Sequence, residues 1–130
     1  MLRTLSIRNI LLIERLDLSF TSGLGVLTGE TGSGKSILLD ALSLAVGARA
    51  DSELIRQGTD QSTITAEFEV LDTSKINLIL SKHGIIVEQN FALRRVISMD
   101  GRSRAFIDDQ AVSVALLRQI GDLLVEVHGQ

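Results

Sequence analysis

Eight consecutive residues have the types and spacing needed to bind the phosphate groups of a nucleotide. They match the pattern G-x-x-x-x-G-K-[ST] at every fixed position, and they are Gly29, Glu30, Thr31, Gly32, Ser33, Gly34, Lys35 and Ser36. Glycines lack Cβ atoms, so the backbone N–H groups of such a loop can point inwards and surround an anion. We expect Glu30 to contribute only its N–H group. The ammonium group of Lys35 can reach the β- and γ-phosphates, and the Ser36 hydroxyl is the expected protein ligand of Mg²⁺.

The segments on either side of these residues are those that a phosphate-binding loop requires. An apolar run at residues 24–28 predicts a strand, and residues 37–46 predict a helix that Gly47 ends. That helix is apolar on nearly every face, so we expect it to be buried. Its N-terminus would direct a partial positive charge at the phosphates. An ordinary glycine-rich turn, which is the alternative interpretation, requires neither neighbour.

Alternating apolar and polar residues predict several further strands. The predicted strands lie at residues 4–8, 16–20, 64–70, 91–98 and 103–107, with an extended segment at 85–87 and a buried strand at 123–127. Ser74 and Ser113 could each cap a helix, ended by Gly84 and Gly121 respectively. Residues 48–61 are polar and predict a loop. The prediction is therefore an α/β fold in which antiparallel strands lie beside one strand–loop–helix unit.

The composition limits the class of protein. A chain of 130 residues with 45% hydrophobic residues can form one domain with a substantial core. The net charge of −3 argues against a dedicated nucleic-acid-binding module, and the lack of cysteine excludes disulfides and Cys-ligated zinc. No signal peptide or membrane span is predicted. The chain ends directly after an apolar run, so we expect it to be a piece of a longer protein.

Several segments resemble the RecN family of bacterial SMC-like repair ATPases. The resemblance is carried by residues 27–42 around the loop, and then by GARAD at 47–51, LRRVIS at 93–98, DGRSRAFI at 100–107 and HGQ at 128–130. The phosphate loop alone would indicate only a nucleotide-hydrolysing enzyme. The later segments single out this family, and the similarity covers essentially the whole chain.

The resemblance implies that residues 1–130 are the N-terminal segment of a split ABC-type ATPase head. A coiled coil would follow, and a C-terminal segment would then add the signature motif and the Walker B acids. Two such heads sandwich ATP and Mg²⁺ in a homodimer, and hydrolysis is coupled to DNA double-strand break repair. This implies a cytoplasmic protein at the nucleoid, with no membrane partner. Its partners are a nucleotide, its own C-terminal half and, in the full protein, DNA.

Hydrolysis by these residues alone is expected to be negligible. No signature motif is present, and Glu126, which follows a Walker-B-like apolar run, lacks a second adjacent acid. The better interpretation of residues 123–127 is a core strand that delivers the Q-loop. No catalytic residue is therefore expected in this chain, because the general base for water is missing.

The resemblance also suggests weaker candidates. Gln130, or His128 instead, could contact Mg²⁺ or the attacking water, although either could be a simple loop residue. Arg49 or Arg56 could lie near the nucleotide edge or be solvated, and Asn9 could pack on the adenine or only within its hairpin. Four further arginines could bind DNA phosphates or form a solvated, salt-bridged sheet face: Arg94, Arg95, Arg102 and Arg104.

Two other functional classes remain open. One is a free-standing P-loop kinase or GTPase, which is disfavoured because two alternating strands precede the loop and the N-K-x-D signal is absent. The other is a non-catalytic module that binds a nucleotide only to organise a protein interface.

Overall fold

The computed structural model of the protein describes residues 1–20 and 32–128, with side chains described at 1–20 and 37–124. Six strands and three helices are found in these ranges, in the order β1 Leu2–Ile10, β2 Ile13–Ser19, α1 Gly32–Ala45, β3 Gln61–Glu69, α2 Ser74–Leu80, β4 Asn90–Ser98, β5 Ser103–Ile107, β6 Gln110–Val112 and α3 Val114–His128. Short 3₁₀ turns at Ser52–Leu54 and Ser81–His83 complete them. No helix among these residues is long and apolar enough to cross a membrane.

The strands form one antiparallel sheet in the order β2-β1-β3-β4-β5-β6. Its register places the apolar side chains of neighbouring strands in rows on one face. In one such row Ile7 pairs with Ile64, which pairs with Arg95 on β4. The two isoleucines are fully buried, as expected for alternating strands that cover a core. Helix α1 packs on β3 and β4 at the centre of the sheet, and α3 packs on β5.

The predicted strands at 4–8, 16–20, 64–70, 91–98 and 103–107 are confirmed; the ends of the first four differ slightly, and those of the last are as predicted. The segment at 85–87 joins no strand, because the Asn77 side chain bonds to both the N–H and the C=O of Val87, at 2.9 Å each. Strand β6 was not predicted, since three residues are too few to show alternation. It is reached through a two-residue turn at Asp108 and Asp109, whose φ angles of 47° and 66° suit a tight hairpin.

The predicted helices need three corrections. Helix α1 is not buried on all faces: Leu39 is 40% exposed, since only one side of the helix faces the sheet. Ser74 does not cap α2 from outside but is its first residue, and its N–H and hydroxyl both donate to Asp72. Gly84 does follow α2 and its 3₁₀ turn, with φ of 76°. The cap at Ser113 is confirmed, as its Oγ accepts from the Leu116 N–H at 3.0 Å.

The third correction concerns the C-terminal part of the chain. The predicted helix end at Gly121 and the predicted strand at 123–127 are both wrong, because α3 runs without a break to His128. Gly121 does not end α3 but allows it to pack closely against the end of α1. A Cβ atom added there would lie 2.4 Å from the carbonyl oxygen of Val46, at the end of α1. Only a residue without a side chain lets α3 approach α1 this closely.

Gly47 makes the same kind of contact from the other side. It has a φ of 103°, and an added Cβ would lie 2.5 Å from the Cα of Arg118 on α3. The two glycines therefore form a reciprocal contact that fixes α3 against the end of α1. The prediction that Gly47 ends α1 is confirmed, and its close approach to α3 is an additional constraint.

Replacing Gly47 by alanine is expected to lower the free energy of unfolding by about 3 kcal/mol, from backbone strain at positive φ together with the clash against α3. Gly101→Ala is the matched control: it has φ of 87° but nothing within 4 Å of the added Cβ, so about 1 kcal/mol is expected. Urea unfolding followed by circular dichroism measures both. Equal losses for the two variants would contradict the proposed helix contact.

Candidate functional site

The second half of the phosphate-binding motif forms the first turn of α1. The helix begins at Gly32, five residues before the predicted start, so residues 32–36 are helical; Gly29, Glu30 and Thr31 lie outside the described residues, as does the predicted strand at 24–28. The first four N–H groups of a helix have no partner within it. In α1 these groups belong to Gly32, Ser33, Gly34 and Lys35. An anion placed at this end would meet them together with the positive end of the helix dipole.

This set of donors fits a nucleotide with Mg²⁺. Mg²⁺ commonly binds through one or two protein ligands together with phosphate oxygens and water. Within the described part of the chain, no group of three or more His, Cys, Asp or Glu side chains could hold a metal. In a complex with a nucleotide, the Ser36 hydroxyl and the phosphate oxygens would be the expected ligands of the ion. The backbone of α1 places Ser36 directly after the four N–H groups that begin the helix.

The opposite end of α1 is closed by a glycine cap. The Gly47 N–H donates to the Leu44 carbonyl at 3.1 Å, and the Ala48 N–H donates to the Ser43 carbonyl at 3.0 Å. These two bonds, with Gly47 at positive φ, form the Schellman arrangement that satisfies the last carbonyl groups of a helix. The chain therefore turns sharply away at Gly47.

Arg95 adds a second layer of contacts to this helix end. Its Nη1 donates to the carbonyl oxygens of Leu44 at 2.9 Å and Ala48 at 2.7 Å, and its Nε donates to the Ser103 hydroxyl at 2.6 Å. The side chain is only 2% exposed. Burial lowers the pKa of the Arg95 guanidinium, but arginine remains protonated in proteins. Its charge lies at the negative end of the α1 dipole, where a cation is stabilising.

Arg95 therefore does not belong with the arginines that could contact DNA or solvent. It lies in the core row of the sheet beside Ile64, facing α1, while the other three lie outside the core. The signal in the sequence was its position: Leu93, Arg95 and Ile97 share one parity on β4, so alternation alone places Arg95 on the buried face.

The other three arginines fit the salt-bridged or solvated interpretation. Arg94 stacks over the Phe106 ring at 4.3 Å and forms an ion pair with Asp109 at 3.5 Å. Arg102 pairs with Asp100 at 3.5 Å, within the turn between β4 and β5. Arg104 on β5 is exposed.

The turn between β1 and β2 is tied to the loop that carries Arg56. Asn9, with φ of 60°, accepts hydrogen bonds at its carbonyl from the Arg56 N–H at 2.9 Å and from the Ser62 hydroxyl. Leu11 has a φ of 52°, and its N–H donates to the Leu54 carbonyl at 2.8 Å. The structure thus brings two candidates, Asn9 and Arg56, together through their backbones. Their pairing was not predicted, because backbone bonds between distant loops leave no pattern in the sequence.

The same turn presents apolar surface next to a charged hairpin. Leu12 is 95% exposed at its tip. On β2, hydrogen bonds from Arg8 and then Arg15 lower the pKa of the Asp17 carboxyl to about 2. Arg8 Nη1 and Asp17 Oδ1 are 2.8 Å apart, so an exposed cross-strand ion pair lies next to the candidate Asn9.

The remaining candidates are not brought to the phosphate loop by any described contact. Arg49 is exposed, two residues after the α1 cap. His128 is the last residue of α3, and Gln130 lies outside the described residues. Glu126 is on a helix, so the comparison with a Walker B strand is wrong for this segment.

Comparisons with known proteins agree with this architecture. The family model described as "AAA domain" matches residues 4–126. The "DNA repair protein RecN" of Bacillus subtilis is 43% identical over 131 residues, and that of Vibrio cholerae is 40% identical over 130 residues. Each alignment covers 100% of this chain but only 23% and 24% of those relatives, respectively. The chain thus spans about a quarter of their length.

A solved structure supports the same fold. It comes from work on the ATP-driven dimerisation and DNA-stimulated activation of SMC ATPases, and it aligns with a TM-score of 0.69 at 20% identity, covering 92% of this chain and 76% of that one. The predicted SMC-type α/β fold is therefore confirmed. The chain belongs to the AAA domain family. Within that family its sequence resembles the RecN proteins over its whole length, as predicted.

Removing the Ser62 hydroxyl is expected to loosen the turn that holds Asn9. Ser62 is fully buried, and Ser62→Ala should lower the free energy of unfolding by about 1 kcal/mol and speed hydrogen exchange at the Arg56 amide. Ser81→Ala, which removes an exposed hydroxyl bonded to Leu78, is the control and should change neither. Unchanged exchange at Arg56 in Ser62→Ala would mean that this hydroxyl does not hold the turn.

Proposed function

We propose that this chain is the ATP·Mg²⁺-binding half of a RecN-like ATPase head that acts in DNA double-strand break repair. The observation that carries the proposal is the complete phosphate-binding motif, whose last five residues form the first turn of α1. In this proposal the N–H groups of the motif bind the phosphates, Lys35 bridges the β- and γ-phosphates, and Ser36 binds Mg²⁺. The nucleotide and Mg²⁺ supply the phosphoryl group and the neutralising charge.

Residues 1–130 are, in this proposal, one N-terminal segment of a split head. The support is the identity of 40–43% to RecN proteins that are about four times as long. The remaining part of the protein would supply the catalytic carboxylates, since no second acid adjoins Glu126 in this sequence. The head would act as a homodimer on DNA in the cytoplasm, at the nucleoid. Gln130 or His128 would complete the Mg²⁺ or water contacts.

The fold speaks against the free-standing kinase or GTPase. Here α1 lies on a six-stranded antiparallel sheet in which β1 and β2 precede the motif, and the alignment with an SMC ATPase includes 92% of the chain. A module that binds nucleotide without hydrolysing it still describes the isolated chain, because the proposed hydrolysis needs the rest of the head.

Lys35→Ala is expected to weaken ATP binding about 10- to 100-fold, because one charge-assisted contact to the phosphates is lost. Isothermal titration of the purified chain with ATP and Mg²⁺ measures this. Lys82→Ala removes an exposed lysine from the turn after α2 and should leave the Kd unchanged. Equal affinity of wild type and Lys35→Ala would reject the phosphate-loop assignment.

ATP hydrolysis is expected to appear only when the rest of the protein is present. The 130-residue chain alone should release phosphate no faster than a buffer blank, whereas the full-length protein should show turnover that Lys35→Ala abolishes. A phosphate-release assay on both proteins tests this. Full activity in the isolated chain would contradict the split-head proposal, as would transfer of phosphate to a small acceptor.

A further inference from the structure

We infer that Arg95 is a positioning residue for nucleotide binding. Its guanidinium fixes the position of α1 along its own axis on the sheet, and therefore the position of the first-turn N–H groups that would face the phosphates. Arg95 lies at the far end of α1 and would not touch the nucleotide. The inference rests on the proposed function, which supplies the ligand.

The contacts of Arg95 join the sheet to the helix rather than completing the helix itself. The Gly47 N–H already bonds to the Leu44 carbonyl, so Arg95 gives that oxygen a second donor. Its bond to Ala48 reaches a carbonyl beyond the end of α1. Its Nε is held by Ser103 on the neighbouring strand β5. One planar group thus connects β4, β5 and the residues on both sides of the Gly47 cap.

The dipole of α1 favours a cation at this position, but burying that cation also carries a desolvation cost. Arg95 is 2% exposed, and none of the ion pairs among the described residues includes it. Its neighbours in the cross-strand row are Ile64 and Ala105, which are buried and apolar. An apolar side chain of similar volume avoids the cost of desolvating a cation and is often at least as stable. The guanidinium adds hydrogen bonds of fixed direction, because its N–H donors lie in one rigid plane at fixed angles.

A fixed position at one end of α1 is transmitted to the other. The helix has 14 residues, so its ends are about 21 Å apart, and a helix held by internal hydrogen bonds moves as a rod. Hydrogen bonds from N–H groups to oxygen keep their strength only over roughly 2.7–3.2 Å. A shift of α1 by about half an ångström therefore weakens several phosphate contacts together. The glycine contacts with α3 restrain the same end of α1 from the other side.

The test compares nucleotide affinity in variants of the full-length protein under conditions where circular dichroism shows each to be folded. Arg95→Met removes all three donations but keeps an unbranched side chain, and it is expected to raise the Kd for ATP about tenfold, roughly the loss of one strong phosphate contact. Arg95→Lys keeps the charge and a long stem, and it should recover part of this loss. Leu80→Ala, in the buried face of α2, is the control for lost stability and should leave the Kd unchanged.

A second pair of variants keeps the inference testable if Arg95→Met does not fold. Ser103→Ala removes only the partner of Nε and leaves both bonds to α1 possible, so a rise in Kd of about threefold is expected. Ser81→Ala removes an exposed hydroxyl away from α1 and is its matched control, with no change expected.

Each outcome decides between the two proposals. If wild type binds ATP and Lys35→Ala does not, but the Arg95 and Ser103 variants bind like wild type, the positioning role is overturned and the proposed function stands. If Leu80→Ala weakens binding as much as Arg95→Met, the effect is one of stability and the role is again overturned. If wild type does not bind ATP, the proposed function fails and this inference fails with it.

Discussion

The structure depends on how the C-terminal end of α1 is held. The last carbonyl groups of a helix need partners, and its C-terminal end carries a partial negative charge that a cation stabilises. Here Gly47 turns the chain away, Arg95 places a cation against the last carbonyl groups, and Gly121 lets α3 approach within contact of Val46. The sheet, α1 and α3 therefore meet at one point, at the opposite end of α1 from the proposed phosphate site.

The antiparallel sheet gives this junction its rigidity. Arg95 can reach α1 because β4 lies between β3 and β5, so that both neighbouring strands fix its backbone. Ser103 on β5 then orients the guanidinium. The contacting residues are far apart in the sequence, since Arg95 bonds to Leu44, which lies 51 positions earlier in the chain. The position of α1 is thus set by strands that follow it in the sequence.

The strands and the end of α1 could be predicted from the sequence, because each depends on residues that are close together in the chain. The five long strands follow from alternation, and the end of α1 follows from Gly47. The failures involve tertiary contacts. Gly121 resembles a helix stop, yet α3 continues because the glycine is needed for close packing against Val46. The alternation along β4 places Arg95 on the buried face, but its acceptors at the end of α1 are backbone carbonyls, which no residue type reveals. At the site, phosphate binding by the motif stays a prediction, and the link between Asn9 and Arg56 needed the structure.

The pairing of β1 on both sides has a consequence for synthesis of the chain on the ribosome. β1 can form its hairpin with β2 as soon as residue 19 has emerged, but its other edge pairs with β3, which ends at Glu69. Until then one side of β1 has unpaired N–H and C=O groups. The apolar residues Leu5 and Ile7, which are buried in the folded chain, are also still exposed. Such an open edge invites pairing with a neighbouring chain. An edge that stays unpaired until β3 has been made gives the growing chain an interval in which association with other chains can compete with folding.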